Sequence, residues 1–460
     1  MNELYPLKNL KNITSLKIVQ NVDCYLTKKS KLYFLFKKMK DYGNRLHNQG
    51  NWSIRTIKKY DRKWKYLNQK YNQINVYGIE FVGIGETVPR LFMYLQDKPK
   101  RDKNIYHIVL PTFFPDYTSG IVNNKIFDVF ERYIHFITND NFGFWLYVII
   151  MHSNKMNTEH FDIYAHRDAC RKFNIEVGKA IIPFSSKVKA YAKEKMQIMG
   201  VTGGYICLHA REAATKTINF TSAYADTSAV DADINTYGKA CAYMQRLGYQ
   251  AVRMGKDESK ECEIESVIDY ANNFYDELMD FYLIANCRFF IGCSSGITAI
   301  TAYWGRPVLL TNALSFCRAQ ESLPWTEYDL YIPKKFYSKH ENRPLNLYEM
   351  LDISYKCDRY NARLAKEGIE LVNNTAEEIL EATIEMNEKL SHTWTRSEEE
   401  IYHMEKYWKI ISLWKSRHKL AYVSRSDGNK GVEMIPRPIA YSYLKDNLYL
   451  LDVRELYEKL

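Results

Sequence analysis

The sequence predicts an α/β fold with two Rossmann-like domains, an N-terminal helical elaboration and a C-terminal helical tail. The chain has 460 residues. One hydrophobic core rarely serves so long a chain, so we expect two domains of ~150–200 residues. In the second half, short runs of apolar and β-branched residues alternate with helical stretches, as in a parallel sheet covered on both faces. In the first half, a strand, a helix and a strand follow one another, as in a βαβ unit.

The N-terminal segment, residues 1–72, is expected to form basic amphipathic helices. It holds 17 Lys and Arg against 4 Asp and Glu, so its net charge of +13 exceeds the +10 of the whole chain. Such a segment could face an anionic membrane surface or a polyanionic acceptor, or it could be a solvated lysine-rich surface. No nucleic-acid-binding motif accompanies the charge, so we do not expect a nucleic-acid partner.

The first Rossmann-like domain is expected over residues 73–198. INVYGIEFVGIG reads as a strand, ETVPRLFMYLQ as the helix after it, and NIYHIVLP as a second strand. A helix within residues 176–196 then leads towards the second domain.

The second domain is expected over residues 199–392. Its predicted strands are GYICLHA, YQAVRMG, SVIDYA, RFFIGCS and RPVLLTNA, and its predicted helices are INTYGKACAYMQRLG, FYDELMDFYLIANC and GITAITAYWG. Thr375 and Glu378 have the spacing of a capping box, which marks the start of a closing helix over residues 373–390.

The tail, residues 393–460, is expected to be helical and to pack back on the N-terminal domain. Its helix at 399–420 carries an apolar stripe formed by Met404, Tyr407, Trp408, Ile411 and Trp414. Such a stripe usually packs on the protein's own core, and a membrane surface is the alternative.

Cysteine usage and the N-terminus favour a cytoplasmic protein, with a peripheral position on the inner membrane face as an option. The nine cysteines are scattered and never form a C-x-x-C pair, so neither a disulfide framework nor a zinc site is indicated. The N-terminus lacks a signal-peptide pattern. The longest apolar run, FGFWLYVIIM, is about half the ~20 residues that a membrane span needs.

The stretch FFIGCSSGITAI is the first candidate for chemistry. If RFFIGCS is a strand and GITAITAYWG is the helix after it, Ser294, Ser295 and Gly296 occupy the start of that helix. Backbone N–H groups there lack partners within the helix, and the helix dipole is positive. Serine hydroxyls and a glycine that admits a ligand close to the backbone suit a phosphate. The alternative is a structural helix cap.

A second candidate lies in ICLHAREAATK, where His209 and Arg211 follow a predicted buried strand. Side chains two residues apart on an extended chain point the same way, so both could reach one ligand at the carboxyl end of the sheet. Arg grips phosphate bidentately and keeps its charge. An interdomain ion pair and a core histidine are the alternatives. Asp231 and Asp233 spell D-x-D, but they precede a predicted helix and are interpreted as its cap.

The order of these motifs resembles a family of bacterial glycosyltransferases. The resemblance rests on H-x-R, V-R-M-G-K, I-D-Y-A, F-F-I-G-C-S-S-G-I, W-G-R-P-V-L-L-T-N-A and the terminal RPIAYSYLKDNLYLL. That family is distantly similar to fucosyltransferases, which bind a GDP-sugar between two Rossmann-like domains, the GT-B architecture. It implies an acceptor domain first and a donor domain second.

The resemblance also implies roles for single residues. Arg211 would contact the donor's diphosphate and be catalytic, His209 would lie near the nucleotide, and Ser294 and Ser295, beside Gly296, would hold phosphate oxygens. Asp269 would accept hydrogen bonds from the base, or cap a strand end.

Two further features bear on the donor. Arg253 would help to neutralise the diphosphate, or pair with an acidic neighbour. Fucosyltransferases often carry a second Arg followed by Gly-Asp after H-x-R, whereas this chain has Glu212-Ala213-Ala214. That departure leaves the donor's base and sugar open.

The expected activity is transfer of a sugar from a nucleotide-diphosphate donor to a glycan, lipid-linked glycan or protein. Arg and backbone N–H groups can stabilise the departing diphosphate, so neither a metal nor a cofactor besides the co-substrate is expected. A GDP-sugar is the donor that the resemblance favours. Glu86 is the candidate base, with Asp116 and His107 as rivals. The alternatives are a polysaccharide pyruvyltransferase-like enzyme and a non-catalytic glycan- or membrane-binding protein.

Overall fold

The computed structural model describes residues 62, 66, 73–80, 84–85, 87–88, 91–92, 105–112, 123, 125–130, 182–212, 228–256, 260–314, 326–357, 361–418 and 438–453. The chain divides into two compact units, Met1–Asn123 with Phe130–Ala165 and Asn124–Val129 with His166–Leu460.

The first unit contains the predicted βαβ start. Strands β1 (Gln73–Glu80) and β2 (Ile105–Thr112) pair in parallel over their full length. The residues described between them, at 84–85, 87–88 and 91–92, are helical. Phe92 is buried and lies edge-on to Phe130, with ring centroids 5.4 Å apart. The basic helices expected within 1–72 lie outside the described residues, apart from two helical residues at 62 and 66. The apolar run FGFWLYVIIM, at 142–151, lies outside them as well.

The second unit is built on a six-stranded parallel sheet, which confirms the α/β class. Its strands follow the order β5-β4-β3-β6-β7-β8. Every residue of the inner strands β3, β6 and β7 is buried, as expected for a sheet covered on both faces. The bounds are β3 Tyr205–His209, β4 Gln250–Arg253, β5 Val267–Ile268, β6 Phe290–Gly292, β7 Val308–Ala313 and β8 Leu330–Pro333.

Helices precede, connect and follow these strands. Their bounds are α1 Ile126–Phe130, α2 Ser186–Ile198, α3 Gly238–Arg246, α4 Tyr270–Asn273, α5 Glu277–Asn286, α6 Gly296–Thr301, α7 Leu347–Cys357, α8 Asn361–Lys366, α9 Ala376–Leu390, α10 Glu398–His418 and α11 Tyr441–Leu444. The capping box of α9 is confirmed: the Thr375 hydroxyl accepts from the Glu378 N–H, and the Glu378 carboxylate accepts from the Thr375 N–H.

Two predicted elements are shorter than expected. The strand predicted for SVIDYA is β5, which has only two residues. It pairs with β4 alone, and Tyr270 already begins α4. The helix read in GITAITAYWG spans six residues and then tightens into a 3₁₀ turn, Ala302–Trp304. Trp304 is fully buried at that turn and packs against Phe281 and Phe184, so tertiary packing ends the helix.

The region between residues 314 and 372, for which the sequence patterns predict no elements, completes the parallel sheet and adds a second one. Strands β9 (Lys335–Ser338), β10 (Arg343–Pro344) and β11 (Ile369–Val372) pair antiparallel in the order β10-β9-β11. This small sheet directly follows β8, at the carboxyl end of the large one.

The described part of the tail packs on the second unit. Ile439 forms a parallel bridge with Tyr331, which covers the outer edge of β8, and α10 packs on α7 and α11. Tyr407, Ile411 and Trp414 of the predicted stripe are buried, whereas Trp408 is 38% exposed. The return of the tail to the N-terminal domain, and the predicted domain boundaries, stay predictions.

No helix among the described residues combines the length and apolar character needed to cross a membrane.

Candidate functional site

The candidate site lies where the strand order of the large sheet reverses. The chain runs outward from β3 through β4 to β5, then returns to the other side of β3 to form β6. The carboxyl ends of β3 and β6 are therefore neighbours, and their connections lead in opposite directions. In open α/β sheets this topological switch point is where ligands bind.

The two strand ends are held close together. His209 pairs with Gly292, and the Cys293 N–H donates to the His209 carbonyl at 3.2 Å. A Cβ at Gly292 would lie 2.9 Å from the His209 carbonyl oxygen and 2.8 Å from the Phe290 ring. Glycine is therefore required for this close approach.

Arg211 and the C-S-S-G turn, which are 82 residues apart in sequence, are in contact. The Arg211 N–H donates to the Cys293 Sγ at 3.0 Å. The Arg211 side chain is 8% exposed, and its Nε lies 3.5 Å from the Asp231 Oδ1. Asp231 therefore positions the guanidinium, a role that the sequence reading missed. Asp233 does cap the following turn, as predicted, by accepting from the Asn235 N–H at 2.9 Å.

The two serines of the turn differ in their partners. The Ser295 Oγ lies 2.9 Å from the Thr298 Oγ1 and accepts from the Thr298 N–H at 3.3 Å, so Ser295 acts as the structural cap. Ser294 is 9% exposed, and its hydroxyl has no hydrogen-bond partner within the described part of the chain. Of the two side chains, Ser294 is thus the one available to a ligand at the start of α6, beside Gly296.

His209 is buried, and its orientation is fixed. Its Nδ1 lies 2.9 Å from the Met254 carbonyl oxygen. Because a carbonyl only accepts, Nδ1 carries a proton in this hydrogen bond. The predicted position of His209 near a nucleotide stays a prediction.

Arg253 lies between two carboxylates. Its guanidinium donates to Asp269 and to Glu212, each at 3.1 Å, and the side chain is 1% exposed. Glu212 also accepts from the Lys260 N–H at 2.7 Å. Pairing with acidic neighbours was one of the two alternatives for Arg253. Contacts of Arg253 or Asp269 with a donor stay predictions.

Lys334, directly after β8, is a second residue that the sequence reading missed. It is 3% exposed, and its Nζ donates to the Asp231 carbonyl at 2.7 Å. Burial lowers the pKa of Lys334 to about 8, against the opposing effects of Cys293 and Asp231. A single lysine in a stretch without clear periodicity gives no sequence signal, so only the structure reveals it.

A cavity of about 530 Å³ opens beside Asp231 and Lys334. This volume falls within the range of small-molecule sites. Its wall combines charged and apolar side chains from the second unit, namely Ala229, Asp231, Ala232, Asp233, Lys260, Lys334, Lys339, Leu364, Ala365, Ile369, Glu370, Leu371 and Asn373.

The candidate base and its two rivals lie wholly or partly outside the described residues. Glu86 and Asp116 lie outside the described residues, and for His107 only the backbone, in β2, is described. Within the described ranges, no three His, Cys, Asp or Glu residues cluster as metal ligands would. Five cysteines of the second unit are free thiols, namely Cys207, Cys241, Cys262, Cys287 and Cys293.

Fold and site together define an α/β protein with a candidate anion-binding site at the switch point of a Rossmann-like sheet. No protein-family model matches the chain, and the search of curated proteins found no match.

Three solved structures are similar to parts of the chain. The ADP-heptose lipopolysaccharide heptosyltransferase II of E. coli is 13% identical, with 64% of this chain and 99% of that one covered, at a TM-score of 0.33. A family 9 glycosyl transferase of Veillonella parvula is 10% identical, covering 52% and 80%, at 0.29. The TibC heptosyltransferase of enterotoxigenic E. coli, in complex with ADP-D-β-D-heptose, is 15% identical, covering 69% and 77%, at 0.31. Likenesses at this level assign neither a family nor an activity to the chain.

Proposed function

We propose that this protein is a glycosyltransferase that moves a sugar from a nucleotide-diphosphate donor to a glycan, lipid-linked glycan or protein. In this proposal the donor's diphosphate binds at the switch point, against Arg211 and Ser294. A GDP-sugar remains the donor that the sequence resemblance favours.

One observation carries the proposal: Arg211 and the C-S-S-G turn meet at the carboxyl ends of adjacent strands. A guanidinium supplies a permanent positive charge and a planar fork of donors that fits phosphate oxygens. The Ser294 hydroxyl and the N–H groups of the turn add neutral donors. A strong cation and neutral donors around one point suit a ligand with several anionic oxygens.

The chemistry follows from where charge develops. As the bond between the sugar's anomeric carbon and the diphosphate oxygen breaks, negative charge grows on the leaving group, and Arg211 would stabilise it. The acceptor oxygen bonds to the anomeric carbon, and its proton passes to a base. Glu86 is our proposed base, with Asp116 and His107 as rivals. The reaction is proposed to need no metal and no cofactor besides the co-substrate.

The cellular setting belongs to the same proposal. We place the enzyme in the cytoplasm, with residues 1–72 on the anionic inner membrane face, since their charge of +13 would be attracted there. Binding to anionic vesicles should then weaken as salt is raised.

The first test is nucleotide binding by titration calorimetry with ADP, GDP and UDP. Ser294→Ala removes one hydroxyl and breaks no described hydrogen bond, and it should weaken binding about three- to tenfold. Arg211→Gln should weaken binding by at least ~10-fold, because a charged hydrogen bond is lost. The matched control is Arg246→Gln, an exposed arginine at the end of α3, which should bind like the wild type.

Two results would contradict the proposal. One is a wild-type protein that binds no nucleoside diphosphate, and the other is wild-type affinity in both Ser294→Ala and Arg211→Gln, with folding checked by circular dichroism. A panel of ADP-, GDP- and UDP-sugars, assayed for release of the diphosphate, then identifies the donor.

A further inference from the structure

Lys334 and Arg211 both approach Asp231. The Arg211 Nε faces the Asp231 carboxylate at 3.5 Å, and the Lys334 ammonium donates to the Asp231 backbone carbonyl at 2.7 Å. Two cationic side chains from different strand ends therefore meet at one acidic residue. That residue also lines the cavity.

The Lys334 ammonium is buried, and the carboxylate of Asp231, which acts on it electrostatically, is shared with Arg211. It has three N–H donors, and the hydrogen bond to the Asp231 carbonyl uses one of them. The neighbouring Cys293 thiol is neutral at physiological pH, since burial raises its pKa to about 11. Burying a cation without a matching anion is costly. An anion that enters the cavity would relieve this cost.

We infer that Lys334 is a second cationic ligand of the donor's diphosphate, and that it takes up a proton when the diphosphate binds. This inference rests on the proposed function. Arg211 and Lys334 then contact the diphosphate from two sides. The cavity next to Lys334 accommodates either the nucleoside or the sugar of the donor.

The sign of the proton exchange follows from the surroundings of Lys334. With a pKa of about 8, Lys334 is largely neutral at pH 9. A bound diphosphate favours the ammonium and raises its pKa, so a proton is taken up from solvent. The charged and titratable groups that face Lys334 or line the same cavity are Arg211, Asp231, Asp233, Lys260, Cys293, Lys339 and Glu370.

Two of these neighbours, Cys293 and Asp233, have a shifted pKa, and both titrate outside the range from pH 7 to pH 9. Cys293 titrates near 11, and the pKa of Asp233 is lowered: burial raises it, but Lys260 and the Asn235 N–H together outweigh burial. The terminal phosphate of a nucleoside diphosphate titrates near pH 6. If the pKa of Lys334 returns to its ordinary value in the complex, proton linkage predicts that the diphosphate binds about tenfold more weakly at pH 9 than at pH 7.

The test measures binding of the best nucleoside diphosphate, and separately of inorganic pyrophosphate, at pH 7, 8 and 9. Each titration with the nucleoside diphosphate is repeated in two buffers of different ionisation enthalpy, which gives the number of protons exchanged. Wild type should take up most of one proton at pH 9. Lys334→Met should bind at least ~10-fold more weakly at pH 7 and show neither the proton uptake nor the fall with pH.

The matched control is Lys335→Met, the adjacent lysine, which pairs with Glu378 and does not line the cavity. It should behave like the wild type. Wild-type affinity and proton uptake in Lys334→Met would overturn this inference while leaving the proposed function intact. Pyrophosphate binding that depends on Lys334, without binding of any nucleoside diphosphate, would instead overturn the proposed function and support the anion site.

Discussion

Removal of Arg253 is predicted to destabilise the second unit strongly. Its guanidinium bridges Glu212 and Asp269 at 3.1 Å each, and these side chains are 7% and 16% exposed. In Arg253→Met, two carboxylates lose their shared cation in a poorly solvated place. Breaking a buried ion pair by deleting one partner typically costs about 3–5 kcal/mol. At roughly 2–4 °C per kcal/mol, the melting temperature should fall by about 6–20 °C.

The assay is calorimetric and urea unfolding of the wild type, Arg253→Met, and a triple variant that adds Glu212→Gln and Asp269→Asn. The triple variant keeps an oxygen that accepts from the Lys260 N–H but removes the two carboxylate charges that Arg253 bridges in the wild type. We expect it to recover at least half of the lost stability. A loss below about 1 kcal/mol in Arg253→Met, or no recovery in the triple variant, would refute the view of Arg253 as a structural cation.

Three further predictions concern single positions. Gly292→Ala should lower the free energy of unfolding in urea by about 1–3 kcal/mol, because its Cβ would press on the His209 carbonyl. The control is Gly203→Ala, whose Cβ would face open space. Equal losses in the two variants would argue against a steric cause. Thr375→Ala should lower the free energy of unfolding by about 1 kcal/mol through loss of the helix cap, whereas Thr375→Ser should keep the wild-type stability. Unchanged stability in Thr375→Ala would show that the cap contributes nothing. For Lys334 the unfolded side chain holds its proton up to its ordinary pKa of 10.5, whereas the folded one loses it near 8. The free energy of unfolding of wild type relative to Lys334→Met should therefore rise by about 3 kcal/mol between pH 7.5 and pH 10.5, and a flat difference would contradict the lowered pKa.

Much of the large sheet could be predicted because its strands are buried on both faces. GYICLHA and RPVLLTNA contain the apolar runs YICL and VLL, and they correspond to β3 and β7. The weak strand β5 was overextended, because an edge strand that pairs on one side depends on its neighbour more than on its own residues. The small antiparallel sheet was missed, since its strands are two to four residues long.

The site could be predicted in part for a related reason. His209, Arg211 and the C-S-S-G turn follow recognisable strands, so their common edge could be inferred from the parallel sheet alone. Asp231 and Lys334 could not be found in this way. Their importance comes from the contacts of Asp231 with Arg211 and with Lys334, across 20 and 103 residues of chain, which no local pattern encodes.

The sequence alone determined the alternation of strands and helices, the caps of the helices and the chemical types at the strand ends. These are local properties, because burial periodicity and backbone hydrogen bonding act over a few residues. Only the tertiary structure decided that β3 and β6 are neighbours, that Ser295 caps α6 while the Ser294 hydroxyl has no hydrogen-bond partner among the described residues, and that Lys334 is buried. Desolvation and ion pairing depend on the distances between residues that are far apart in sequence, and folding sets those distances.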